Sequence, residues 1–207
     1  MRKLKTYWLR IMTHVAALLP LAIIIWDFTQ GQLTANPIQE ITLRTGRTTL
    51  VLLVTTLACT PINIVFGIRQ VLPLRRTLGL YTFTYASLHF MTFVGLDYWF
   101  NFSLIWADIG EKRFALAGFA AFLTLLPLAI TSTRGWIKRL GQKWIRLHWL
   151  IYLTALLAVT HFTWQVKADL LEPLLYGSAV ALFLIVRLPP VKDTIGKFRS
   201  RLTKGQT

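Results

Sequence analysis

Long apolar runs alternate with short polar connections along most of this chain. After the basic start MRKLKTYWLR comes IMTHVAALLPLAIIIWDF, an apolar run that predicts a first membrane span at about 11–28. It is too long for a signal-peptide core and no small-residue cleavage site follows it, so an uncleaved span is expected. Polar residues 29–46, broken by Gly31 and Pro37, lead to a second span at about 47–67. Further runs predict spans at about 77–96, 114–132, 147–165 and 173–188, joined by polar links at 68–76, 97–113, 133–146 and 166–172. The pattern therefore predicts an all-α membrane protein, a six-transmembrane-helix bundle. Its parts are a basic N-terminus (1–10), the six-helix domain (11–188) and a basic tail (189–207). No internal repeat strong enough to rely on is visible by inspection.

Charge gives the bundle a direction. The N-terminus, 68–76, 133–146 and the segment from Arg187 onward hold 18 of the 23 Lys and Arg residues, but only one of the eight acids, Asp193. The positive-inside rule then predicts that both termini and these two links are cytoplasmic. That distribution accounts for the net charge of +15 without a nucleic-acid partner. The eight tryptophans agree, because none falls in the middle of a predicted span and their amphipathic rings prefer the interface. One cysteine, Cys59, excludes an intrachain disulfide and a CxxC metal site. Asp27 and Arg47, near the outer ends of adjacent spans, are expected to pair.

All four histidines, His14, His89, His148 and His161, fall within predicted spans, where ionisable side chains are costly and usually functional. Counting residues at about 1.5 Å rise places His89 and His161 at a similar depth near the outer side, and His14 and His148 together near the inner side. Two layers of paired imidazoles suit b-type haem, a flat apolar group held through axial nitrogens. Zinc fits poorly, since no carboxylate or second histidine stands at ligand spacing. No acid at a span centre is available to relay protons. His148 and His161 lie about 140° apart around an ideal helix, so reach, tilt or a distorted turn must bring both into use. The plainer reading of any one histidine is a hydrogen bond to a neighbouring helix backbone.

A resemblance narrows the chemistry. TGRTTL (45–50), RRTLGL (75–80), ASLHF (86–90), TSTRGWIKRLGQKWIRLHWLIYL (131–153) and HFTW (161–164) resemble, in order, stretches of the MsrQ (formerly YedZ) family. These are haem-binding membrane subunits of bacterial periplasmic methionine sulfoxide reductase systems, similar more broadly to ferric reductase and NADPH oxidase transmembrane domains. The resemblance implies a multi-pass inner-membrane electron-transfer subunit, not the catalytic subunit. It would pass electrons from the quinone pool or a cytoplasmic flavin reductase to a periplasmic, molybdenum-containing methionine sulfoxide reductase that repairs oxidised proteins. It also implies haem b, one or two, and FMN, and carries the haem-iron ligands onto His89, His148 and His161. The second histidine that oxidase-type domains have earlier in the third span falls here at Arg75 or Arg76. His14 or open coordination is then left to complete the inner haem. Arg75, Arg76, Arg134, Lys138 and Arg139 fit topology and anionic lipid first, and haem propionates or flavin phosphate second. Two rival functions remain at this point: a transmembrane ferric or other metal-ion reductase, and a non-redox transporter or scaffold.

Overall fold

A computed structural model describes residues 2–166 and 169–204, with the side chains of 6–166 and 169–200. Ten α-helices and no strands occur among the described residues. Helix α1 spans Arg2–Thr29, α2 Pro37–Phe66, α3 Leu74–Met91, α4 Phe102–Glu111 and α5 Arg113–Ile130. Then come α6 (Arg134–Leu140), α7 (Gln142–Leu147), α8 (Leu150–Gln165), α9 (Leu171–Arg187) and α10 (Pro189–Lys204). Leu18, Leu19, Ile23 and Ile25 on α1, like Leu182 and Ile185 on α9, are exposed, an outer surface suited to lipid rather than water.

Helices occupy every predicted span, but they are not equally apolar. Four candidate spans are long and apolar enough to cross a membrane: Thr6–Thr29, Pro37–Phe66, Arg113–Ile130 and Gln142–Gln165. A fifth is reached if α9 and α10, bent by 74° to each other, count as one. The third predicted span, α3, falls short because Arg75, Arg76 and a series of Thr, Tyr and Ser residues dilute its apolar content. Links expected to be irregular are also helical: 97–113 contains α4, and 133–146 contains α6 and most of α7.

Local sequence accounts for the helix limits. Asn36 caps α2 by accepting from Gln39 N, with Pro37 at the first helical position, where its missing N–H costs nothing. Gly67 ends α2 at φ 72°, a left-handed conformation that a side chain would oppose. In α1, Pro20 removes one donor, and Tyr85 of α3 repairs the turn that follows. Its hydroxyl accepts from Leu21 N (3.0 Å) and donates to Ala17 O (2.7 Å), the two groups that would bond each other in an unbroken helix. Tyr85 is almost fully buried, so this bridge fixes α1 against α3.

Helices α2 and α3 pack closely as one hairpin, and α5 and α8 as another. Between the hairpins α3 meets α5 and α2 meets α8, the reciprocal contacts expected of a two-fold arrangement. The sequence carries the same relation at an offset of 72 positions. Leu78, Thr82, Ala86, His89 and Phe90 of α3 become Leu150, Thr154, Ala158, His161 and Phe162 of α8, and Gly46 of α2 becomes Gly118 of α5. The packing thus reveals an internal repeat too weak to rely on in the sequence alone, because these few identities lie among apolar residues that interchange freely. Leu53, Leu57, Ala155 and Val180 then pack α2, α8 and α9 together.

Ion pairs close one end of the bundle. Arg44 pairs with Asp27 of α1 and, at 2.5 Å, with Glu40, one turn earlier on α2. Arg47 pairs instead with Glu172 at the start of α9. The expected Asp27–Arg47 pair is thus replaced by two others, because Arg44, nearly a full turn earlier, faces α1 while Arg47 faces α9.

Candidate haem site

His89 and His161 come from different hairpins and meet at the bundle's ion-paired end. Their ring centroids are 6.1 Å apart and their planes are inclined by 76°. Each ring is set by two features of its own hairpin. His89 Nδ1 lies 2.9 Å from Thr42 O, and His161 Nδ1 lies 2.7 Å from Phe114 O. In both cases the acceptor is 47 residues earlier in the chain and one helical turn before the glycine of the repeat. A carbonyl can only accept, so Nδ1 carries the proton and Nε2 is left with its lone pair. Neither Nε2 has a hydrogen bond among the described residues.

Glycine makes the second feature. A Cβ on Gly46 would come within 2.9 Å of His89 Cε1 and 3.0 Å of its Nδ1. A Cβ on Gly118 would come within 2.6 Å of His161 Nδ1 and 2.8 Å of Cε1. Each ring therefore lies directly on a helix backbone where no other residue leaves room. Phe114 also contacts His161 with its own ring, tilted by 51° and with centroids 6.1 Å apart. Phe90, next to His89 in the chain, stacks on Phe119 and Phe122 between α3 and α5. Immediately after His89 the backbone widens into a π-helix, Thr92–Asp97, a distortion that recurs at functional sites.

The donor set suits a haem iron. Two imidazoles that share one first-row metal, with bonds of about 2 Å to a ring nitrogen, stand with centroids roughly 6 Å apart. The observed spacing is 6.1 Å. Among the described residues no group of three or more His, Cys, Asp or Glu could hold a metal, so the site offers two protein ligands and no more. Two axial nitrogens are what haem takes from a protein.

His148 and His14 stand differently. The helix breaks between α7 and α8 at His148 and Trp149, which is the distorted turn the spacing from His161 required. The His148 ring stacks on Trp144 at 3.8 Å, its Nδ1 lies 3.1 Å from Trp144 O, and its Nε2 is buried without a partner. An orphaned buried nitrogen is costly unless something binds it, so it too suits a cofactor. The repeat places Arg76, not a histidine, opposite His148. His14 lies exposed on α1, with Nδ1 2.9 Å from the Tyr81 hydroxyl. No hydrogen bond or ring contact joins it to His148 among the described residues. α1 packs on α2 and α3, and Tyr81 of α3 holds the His14 ring there.

Arg187 was not expected in any site. Its guanidinium reaches into the same end of the bundle as His148, donating to Tyr152 Oη (2.8 Å) and Leu57 O (2.6 Å), while its Nε is buried and unpaired. In the sequence it counts only among the basic residues at the end of the sixth predicted span. Arg75 donates to Thr60 at 2.9 Å on this end as well.

Comparison with known proteins supplies a family. The family described as ferric reductase like transmembrane component matches residues 44–159, which contain His89 and His148 and end just short of His161. A Rhodospirillum rubrum protein named protein-methionine-sulfoxide reductase heme-binding subunit MsrQ is 46% identical over 182 residues, 87% of this chain and 88% of its own. Proteins of the same name from Xanthomonas axonopodis pv. citri (45%, covering 84% and 82%) and Xanthomonas campestris pv. campestris strain B100 (46%, covering 83% and 81%) are similar. No solved structure matches the chain significantly.

Proposed function

The chain belongs to the ferric reductase-like transmembrane family, and within it to the MsrQ heme-binding subunits; from that premise we propose that it is a haem b electron-transfer subunit of the bacterial inner membrane. It takes electrons from the quinol pool or a cytoplasmic flavin donor. It delivers them to a periplasmic, molybdenum-containing methionine sulfoxide reductase. Six spans, 11–188, cross the bilayer, and residues 1–10 and 189–207 lie on the cytoplasmic side, in keeping with the positive-inside distribution of charge.

The observation that carries this reading is the facing pair His89 and His161. Thr42 and Phe114 fix the tautomer of each imidazole so that both Nε2 atoms are ligands. Gly46 and Gly118 let the rings lie against the helix backbones, which limits their rotation. Phenylalanines around the pair keep water away. Haem held by His89 and His161 would supply one-electron chemistry near the outer face. His148 contributes a single further ligand nitrogen near the inner face, and Arg76, a permanent cation, contributes none. FMN belongs to the reading through the family. Its phosphate suits the basic end formed by Arg75, Arg76, Arg134, Lys138 and Arg139.

Reduced-minus-oxidised spectra of the purified, haem-supplied protein provide the test. Bands of a six-coordinate b-type haem are expected in the wild type and should disappear in His161→Ala. A folded protein without them would refute the reading.

A further inference from the structure

Helix α10 lies outside the two hairpins that carry His89, His148 and His161. It leaves α9 at Pro189 and Pro190 with a bend of 74°. A helix that turns so far on leaving a membrane-crossing helix runs along the bilayer surface instead of through it. The composition of α10 fits that position. Val191, Ile195 and Phe198 recur at helical spacing on one face, while Lys192, Asp193, Lys197 and Ser200 occupy the rest of the circumference.

Between α10 and the last turn of α2 lies a cavity of ≈ 450 Å³, lined by Val65, Phe66, Thr194, Ile195, Phe198 and Arg199. Its walls are almost wholly apolar. Phe66 is 70% exposed and Phe198 64%, so both rings lack protein cover. Arg199 Nη1 donates to Asn63 O (3.1 Å) and Ile64 O (3.0 Å), two of the last carbonyls of α2. That anchors α10 and holds a cation at the rim of the cavity. Gly67 permits the approach, because a Cβ there would meet the Arg199 guanidinium at 3.2 Å.

We propose that this cleft seats an acyl chain of an anionic phospholipid, whose phosphate is met by Arg199 at the rim and by Lys192, which lies on the same side of α10 two turns earlier. An apolar slot at the end of a membrane-crossing helix suits a hydrocarbon chain better than a peptide, which would need backbone hydrogen-bond partners. The headgroup is anionic because α10 sets three described cations against the single carboxylate of Asp193. The site rests on the membrane-crossing reading of α2 and α9 and not on the haem.

Native mass spectrometry of the full-length protein in mild detergent tests it, with phosphatidylglycerol and phosphatidylcholine of matched chains as probes. The first phosphatidylglycerol should bind roughly tenfold tighter than phosphatidylcholine. Lys192→Gln combined with Arg199→Gln should bring the two lipids close to parity, and Phe198→Ala should weaken both alike. Equal binding of the two lipids by the wild type would overturn the proposal. So would a preference that survives the double substitution, since the charge would then act from elsewhere, such as 133–146. Haem absorbance of the same samples separates the two readings. A colourless protein that keeps its lipid preference breaks the haem reading alone, and a haem-loaded protein without the preference breaks only this one.

Discussion

The two ends of the bundle are built from the same repeat and differ in what that repeat has kept. At the ion-paired end, the outer one in the proposed orientation, both copies have their histidine, their glycine and their carbonyl acceptor, so His89 and His161 meet as equivalents. At the opposite end, the inner one in that orientation, one copy has His148 and the other has Arg76. The outer pair has every Nδ1 bonded across to the partner helix. His148 bonds within its own segment, to Trp144, and stacks on the same side chain. A histidine held by another helix reports the packing of the bundle, whereas one held by its own turn can keep its place without it.

This contrast predicts the order of effects. Loss of either outer ligand should be the largest, with His89→Ala or His161→Ala abolishing the six-coordinate haem signal and leaving the fold intact, read as absorbance per folded protein. Arg76→His should act in the opposite sense. By restoring the missing member of the inner pair it should add a second six-coordinate signal, and an unchanged spectrum would break the repeat-based account of that end. Filling the cradles comes next. Gly118→Ala should displace His161, lower haem occupancy and cost about 1–3 kcal/mol of stability, as overpacking commonly does. Gly46→Ala should follow with a smaller effect, since its Cβ would meet His89 at 2.9 Å against 2.6 Å for Gly118 on His161. Thermal melts with haem content as a second readout check both. His14→Ala should do least, removing one hydrogen bond to Tyr81 and no outer ligand. A fall in the six-coordinate signal there would show that α1 takes part in the site.

Much of this is legible in the sequence alone. The alternation of apolar runs located helices at every predicted span, and counting along them placed His89 and His161 at one depth. The count of spans was less secure, because α3 carries so many hydroxyl and basic residues that its hydropathy does not mark it as a crossing helix. Facing partners were harder still. A shift of three residues decides which arginine meets Asp27, and Arg44 rather than Arg47 does so. Depth alone suggested that His14 and His148 belong together, but depth says nothing about position around the bundle, and α1 lies against α3. The glycine cradles were invisible as well. Gly46 and Gly118 look like ordinary small residues in apolar helices until a histidine 43 positions later is seen to rest on each. Arg187, at the end of the sixth predicted span, looks like one more topology-setting cation, and only the packing of α9 on α2 and α8 turns it inward.

The electron paramagnetic resonance spectrum of the oxidised, haem-loaded protein tests the central claim most directly. Two imidazoles with planes inclined by 76° should give a strongly anisotropic low-spin signal. That signal should persist in His148→Ala and His14→Ala and vanish in His89→Ala. A low-spin signal of the same shape in His89→Ala, or only high-spin haem in the wild type, would contradict the assignment of His89 and His161 as one shared site.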